Sequence, residues 1–374
     1  MVITSAQLWF RAFQLSSMTT ALLAASVGLV HLRLGGATDE PNAHVRVCDC
    51  LVDYARQTAI AIIRRSDEEF PFGQRKYLVN LDLSSPKTRL ILPTHVLDPI
   101  CLAPGPNGQL LVAQMNGTVC CIDPTKPSKN PRVVTRHKIA PFQIACSPDG
   151  RWLATVESEQ LCVWDFQSGA LQWRLDGSVV YSVAFVPHVD VIVCGMADGS
   201  VAELSLKTGE DLRRISRHPW PVLHLAVSSQ GNRVASYCAG QEIRVTDRLT
   251  GTSVWQHCAA KDGLPLIKFK RLPLLSFSRD GRRLITAELV QHRWTAHVWD
   301  LENSKCLSSL RGHMGALVAA EFLTNDKLLT CGADGKLCRW SLTDRTPLQV
   351  ISPAWPGGLD KVRGTTTAGR FDVN

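Results

Sequence analysis

Short apolar runs separated by polar turns fill the middle of the chain. Between residues 180 and 216 the runs VYSVAFV, VIVCGM, SVAELSL and DLRRIS follow one another, a pattern that predicts four strands joined by tight turns. Alternation within each run is imperfect, because apolar residues point to both sides of the predicted strand, as they do in a sheet covered on both faces. Turn clusters punctuate the other runs: SPDG at Ser147 to Gly150, SQGN at Ser229 to Asn232, SRDG at Ser278 to Gly281 and TND at Thr324 to Asp326. Gly, Asn and Asp tolerate the backbone angles that tight turns require.

The pattern repeats. Its clearest copies, SPDGRWLATVESEQLCVWDFQSG and FSRDGRRLITAELVQHRWTAHVWDLENS, end their third strands on Trp164-Asp165 and Trp299-Asp300. Weaker copies aligned on these give equivalent positions at Leu81, Ile122, Trp164, Leu204, Thr246, Trp299 and Trp340, spaced by 41, 42, 40, 42, 53 and 41 residues. A second landmark, the end of the strand before the first turn, moves in step at Leu102, Cys146, Phe185, Val227, Phe277 and Phe322. The first copy is the faintest, with candidate strands HVRVCDC, TAIAIIRR, KYLVNLDL and TRLIL between His44 and Leu92.

A period near 40 residues with four strands per unit is the mark of propeller blades. The chain here resembles the WD-repeat family over residues 44–352, most closely in RGHMGALVAAEFLTNDKLLTCGADGKLCRW at the carboxyl end. The resemblance implies an all-β fold, a seven-bladed β-propeller of four-stranded antiparallel blades. It also implies a hydrogen-bonded tetrad in the last blade, with Asp334 accepting from His313, His313 meeting Thr330, and the Thr330 hydroxyl reaching the Trp340 ring nitrogen. Other copies keep parts of it: His218 with Ser236, Asp198 without a His, and His95 with Asn116. His95, His137, His218 and His313 each precede their Trp position by 27 or 28 residues, which marks them as structural.

Closure of the ring has two candidate routes, a local fourth strand at Pro347 to Ser352 or pairing with Ser26 to Leu34. Residues 1–43 read as a lead-in, either a signal-like segment around the apolar run Ala21 to Val30 or an added edge strand. Residues 353–374, rich in Pro, Gly and Thr, read as a flexible tail.

Composition adds little to this picture. Net charge is +8, but the basic residues fall in short groups such as Arg64-Arg65, Arg213-Arg214 and Lys268 to Arg271, unlike a nucleic-acid-binding arm. Thirteen cysteines cannot all pair internally, and none forms a CxxC. A reducing compartment such as the cytoplasm is the favoured setting, with export through the signal-like amino terminus as the alternative.

Catalytic motifs are missing. Asp67, Glu68 and Glu69 form a lone acidic run, and the chain has no GxSxG, HExxH, Walker loop or EF-hand spacing. His188, His224 and His257 lack companions at metal-ligand spacing. The expected function is therefore a non-catalytic scaffold that needs no cofactor and binds a protein or peptide, acidic in character, as a single-copy propeller. The irregular 53-residue interval locates the expected site: one lengthened connection at Ala259 to Leu272 and a second around Val290 to Arg293. In the WD-repeat arrangement these open on one face, offering Lys268, Lys270 and Arg271 beside His292, Arg293 and Trp294. Arg and Trp are enriched at binding hot spots. Two alternatives use the same propeller: single-stranded nucleic acid or another anionic ligand on these basic loops, with Phe269 and Trp294 as stacking surfaces for a nucleic acid, or an enzyme with acidic or His residues converging at the channel. A quinoprotein propeller fits less well, because its repeats carry a different tryptophan pattern from the VWD found here.

Overall fold

The computed structural model describes residues 45–351 apart from 54–57, 66–75, 84–87, 91–97, 127–130, 159, 259–273, 291–292 and 344–346. Its strands form seven four-stranded antiparallel sheets, blades 1 to 7, over residues 45–90, 99–136, 143–174, 180–217, 222–258, 275–311 and 317–351. Within each blade the strands pair in chain order, from the innermost to the outermost. In blades 3 to 7 the two sequence landmarks are the ends of single cross-strand rows, whereas in blade 2 Ile122 shares its row with Leu110 and Pro104, and Leu102 faces Val112. Cys146 pairs with Leu153 and Leu153 with Trp164; Phe185, Ile192 and Leu204 form the same row in blade 4, and Phe277, Leu284 and Trp299 in blade 6.

Packing explains why apolar residues occupy successive positions. In the second strand of blade 2, Leu110 and Val112 pack with Ile60, Ile62 and Leu78 of blade 1, while Leu111 and Ala113 pack with Ile144 and Leu153 of blade 3. Side chains alternate between the two faces of a strand, so each strand feeds two cores. Seven apolar clusters result, one at each joint between neighbouring blades. The seventh closes the ring: Cys50, Ala59, Ala61, Ile63 and Val79 of blade 1 pack with Ala319, Leu329, Cys331 and Leu337 of blade 7. Blade 7 completes itself locally, with Pro347–Ile351 paired to Leu337–Ser341. Residues 26–34 and the other flanking segments, 1–43 and 353–374, lie outside the described residues.

The backbone N–H of Leu102 donates to Asp49 Oδ2 at 2.8 Å across the joint between blades 1 and 2, and at five further joints a side-chain donor reaches a turn carbonyl of the next blade. Arg132 Nη1 donates to Phe166 O at 3.1 Å, Trp173 Nε1 to Leu206 O at 2.7 Å, Arg213 Nη1 to Leu249 O at 2.9 Å and Arg233 Nη1 to Gly281 O at 2.9 Å. Arg283 donates in the same way to Asn325 O. Each carries a donor from one blade to a turn carbonyl of the next. Glu203, 3% exposed, strengthens the joint between blades 4 and 5 by pairing with Arg213 at 3.0 Å and Arg248 at 3.1 Å. Five of the scattered arginines thus serve the ring itself.

The second lengthening expected around Val290 to Arg293 is not a free loop. Its added residues extend the paired strands Arg283–Val290 and Arg293–Asp300 to eight residues each, with the ladder running to Val290 opposite Arg293. The corresponding strands of blades 2 to 5 and 7 have five or six. Backbone groups that pair with each other cost less than a loop of the same length.

Because Leu329 is fully buried in the closing seam, Leu329→Ala is expected to lower unfolding free energy by about 2–4 kcal/mol. Leu348→Ala, on the exposed outer strand, should change it by no more than about 0.5 kcal/mol. Equilibrium urea unfolding of both variants measures the contrast.

Candidate functional site

Antiparallel order within a blade places the start of the first strand, the turn between the second and third, and the end of the fourth at one edge. In blade 3, Val156 pairs with both Gln143 and Leu161, and Cys162 pairs with Arg174. Connections between consecutive blades are short, for example 137–142 and 218–221, so these edges stay level around the ring. They form one face, called the upper face below.

The tetrad of blade 7 lies there. His313 Nδ1 is 3.1 Å from Asp334 Oδ1, His313 Nε2 is 2.8 Å from Thr330 Oγ1, and the Trp340 indole donates to Thr330 Oγ1 at 2.8 Å. Asp334 also accepts the backbone N–H of Met314 at 2.8 Å. The carboxylate thereby fixes the connection entering the blade. Burial disfavours a charged His313, but the Asp334 carboxylate, with the Cys338 thiol alongside, outweighs it and lifts the imidazole to about 9. Asp334 is correspondingly held below its usual value, its bond to His313 overriding burial.

Other blades keep fragments. Trp164 donates to Thr155 Oγ1 and Trp299 to Thr286 Oγ1, both at 2.9 Å. His137 meets the Trp164 ring edge to face, 5.1 Å between centroids, and lies 3.2 Å from Glu157. In blade 5, His218 Nε2 is 2.8 Å from Ser236 Oγ, and Nδ1 is 3.1 Å from Glu242 Oε2. Arg244 holds the other oxygen of Glu242 at 2.5 Å. Burial holds His218 below its usual value in spite of the carboxylate, and against burial Arg244 and His218 hold Glu242 below its own. Among the described residues, one group of His, Cys and acidic side chains brings its ligand atoms together: His218, Cys238 and Glu242, all within 4.8 Å. Sequence spacing concealed it, since Glu242 stands across the turn from the position where the tetrad carboxylate belongs. His95 lies outside the described residues.

The upper face also carries exposed apolar side chains that the sequence reading passed over. Met314 (76% exposed), Ile139 (56%) and Trp220 (37%) each follow a phased His by one or two residues in an inter-blade connection. Phe142 lies in the connection with Ile139, and Met115 in the middle turn of blade 2; both are exposed. A signal for three of them was present in the sequence, as HKI, HPW and HM. Trp220 is framed by Pro219 and Pro221 and lies over Gly240, where a Cβ would stand 2.4 Å from its Cδ1. The remaining large exposed apolar residues lie on outer strands or, as with Val189 and Leu249, at turns of the opposite edge. Exposed arginines end the fourth strands at the upper rim: Arg136, Arg174, Arg217 and Arg311.

Of the residues expected to form the partner site, Lys268, Lys270, Arg271 and His292 lie outside the described residues. Arg293 begins the third strand of blade 6. Trp294 is half buried and packs against the cluster between blades 6 and 7, with Ile285, Ala287 and Leu317. All thirteen cysteines are free thiols, and no helix among the described residues is long and apolar enough to cross a membrane.

Known proteins agree with this geometry. The family model described as WD domain, G-beta repeat matches residues 304–341, in blades 6 and 7. Another, described as outer membrane protein assembly factor BamB, matches residues 133–268. A WD repeat-containing protein WDS homolog from Arabidopsis thaliana is 26% identical over 239 residues, covering 59% of this chain and 43% of that protein. The chain thus spans less than half the length of this relative. Among solved structures, the β-propeller domain of Cps50 (Swd1) from Myceliophteria thermophila superposes with a TM-score of 0.62 over 79% of this chain and 97% of its own, at 14% identity. At that identity the likeness is one of fold. Seven closed four-stranded blades define a β-propeller, and the chain is similar to WD-repeat proteins, most directly in the repeat matched at residues 304–341.

The tetrad yields a pH dependence. His313, with its folded value above the unfolded one, contributes stability that is complete below the ordinary imidazole range of about 6.5 and is lost as pH rises through about 9. Asp334, shifted down, contributes above the ordinary carboxylate range and is lost in acid. Asp334→Asn should therefore cost about 2–4 kcal/mol near neutrality, as expected when one partner of a buried pair is removed. Its deficit against the wild type should shrink above pH 9. Urea unfolding across the alkaline range measures it, and a deficit that stays constant through that range would contradict a charged His313.

Proposed function

We propose that this propeller is a non-catalytic scaffold that binds a protein partner on its upper face, beside the central channel. WD-repeat propellers are typically interaction scaffolds. The observation that carries the reading for this chain is the gathering of Met115, Ile139, Phe142, Trp220 and Met314 on one face. Exposed apolar side chains that share one face favour a contact surface there, as single scattered ones do not. Trp220, set between two prolines, and Met314, whose backbone the tetrad holds, are already ordered, which lowers the entropic cost of binding.

The arginine rim favours a partner with acidic residues around an apolar centre, since complementary charge accelerates encounter. Lys268, Lys270 and Arg271 add to this charge: they belong to the connection that leaves blade 5 at Cys258 and enters blade 6 at Leu275, both at the upper edge. The extended hairpin of blade 6 that carries Arg293 opens at the same edge, whereas Trp294 packs with the core between blades 6 and 7.

Partner capture from source cells, identification by mass spectrometry and titration of the purified pair test the reading. Trp220→Ala and Met314→Ala should each weaken binding about 10- to 30-fold with unchanged melting temperature, while Leu212→Ala on an outer strand should leave it intact. Reversing Arg136, Arg217 and Arg311 to Glu should slow association at low salt more than it speeds dissociation. Equal affinities across all these variants would place the contact elsewhere. Capture of single-stranded oligonucleotides with steep salt dependence would favour nucleic acid instead.

A further inference from the structure

Blade 5 carries the tetrad framework with its chemistry rearranged. The register aligns Ser236 with Thr330, since both face the third strand at Arg244 and Cys338 respectively. From there, Cys238 stands where blade 7 has Gly332, Gly240 where it has Asp334, Glu242 where it has Lys336, and Thr246 where it has Trp340. These exchanges are sterically linked. A Cβ at Gly332 would lie 2.3 Å from both His313 Nδ1 and Asp334 Oδ1, so blade 7 has room for its carboxylate or for a larger residue at 332, but not for both. In blade 5 the carboxylate is gone, and a thiol occupies that side of the His.

The result is a mixed donor set. His218 Nδ1, Cys238 Sγ and the Glu242 carboxylate lie within 4.8 Å of one another. His218 is aimed by its other nitrogen, which bonds Ser236 Oγ at 2.8 Å, the outer contact that metal-bound histidines usually have. Glu242 is aimed too: Arg244 takes Oε1 and leaves Oε2 facing His218 at 3.1 Å. Burial pushes the Cys238 thiol up, opposed in part by the backbone N–H groups of Gly240 and Glu242 beside its sulfur. Tetrahedral zinc, with nitrogen and oxygen ligands at about 2.0–2.1 Å and sulfur at about 2.3 Å, needs donor separations of roughly 3.3–3.6 Å. The nitrogen and oxygen are already that close, and the sulfur reaches them by a shift of no more than about 1.5 Å.

We propose that blade 5 binds one zinc-class divalent ion through His218 Nδ1, Cys238 Sγ and Glu242 Oε2. The thiol proton is released to solvent as the sulfur binds, the imidazole proton moves from Nδ1 to Nε2, where Ser236 Oγ accepts its hydrogen bond, and water fills the fourth position. The ion does for blade 5 what the Asp–His–Thr–Trp chain does for blade 7: it ties the connection that bears Trp220 to the middle turn. This assignment stands whether or not the upper face is the partner site.

Titration of the purified, reduced full chain with Co²⁺, a spectroscopic stand-in for Zn²⁺, tests it. One equivalent should produce a near-ultraviolet thiolate charge-transfer band with strong tetrahedral visible bands, all displaced by Zn²⁺. Cys238→Ser should abolish the charge-transfer band, and Glu242→Gln should weaken Co²⁺ binding by at least about tenfold. Cys306→Ser, which removes an exposed thiol elsewhere, should change neither. Absence of the band in the wild-type chain, or its persistence in Cys238→Ser, would overturn the proposal. If Cys238→Ser does not fold, Glu242→Gln decides: wild-type Co²⁺ affinity in that variant, with an unaltered circular dichroism spectrum, overturns it equally.

Discussion

Alternate side chains of every inner strand belong to different cores, and the fold depends on both being covered. A four-stranded sheet apolar on both faces has no stable existence alone. Each face needs a neighbour, and only a closed ring leaves none bare. Seven joints with seven apolar clusters meet that condition. The joint between blades 7 and 1 is the critical one, because blade 7 supplies its own outer strand and no strand crosses between the first and last sheets among the described residues. Apolar packing of Leu329, Cys331 and Leu337 on Ala59, Ala61 and Ile63 therefore holds the ring shut.

Closure has a functional consequence. With their inner faces spent on neighbours, the blades can meet other molecules only at their edges and outer strands. The lower turns carry many of the donors and acceptors that link blade to blade, such as Arg213 to Leu249 and Arg233 to Gly281. In blades 5 and 7 the upper edge is bound by hydrogen bonds from the phased histidines His218 and His313, and the residues just after them are exposed. Structural order at His313 and His218 and exposure at Met314 and Trp220 are two sides of one arrangement.

Much of the fold was legible in the sequence. Landmarks such as Cys146 and Trp164 keep a constant spacing because they lie in one cross-strand row through Leu153, and a row tolerates no insertions between its members except at turns. Even the faint first blade follows, since its four runs match the observed strands. The site was less visible. Glu242 reaches His218 from across a turn, a relation that linear spacing does not encode. Trp294 reads as a surface residue beside a basic loop, yet the extended hairpin of blade 6 turns it toward the core of blades 6 and 7. The scattered arginines looked like a weak sign of an acidic partner, and several proved to be joints between blades.

The central claim is that the upper face receives a partner while the closed ring beneath it stays unchanged. Hydrogen–deuterium exchange of the chain with and without its captured partner tests this most directly. Added protection should concentrate in 137–142, 218–221 and 312–316, with the outer strands 211–217 and 347–351 unaffected. Protection confined to those outer strands, or to the lower turns around Val189 and Leu249, would contradict the account.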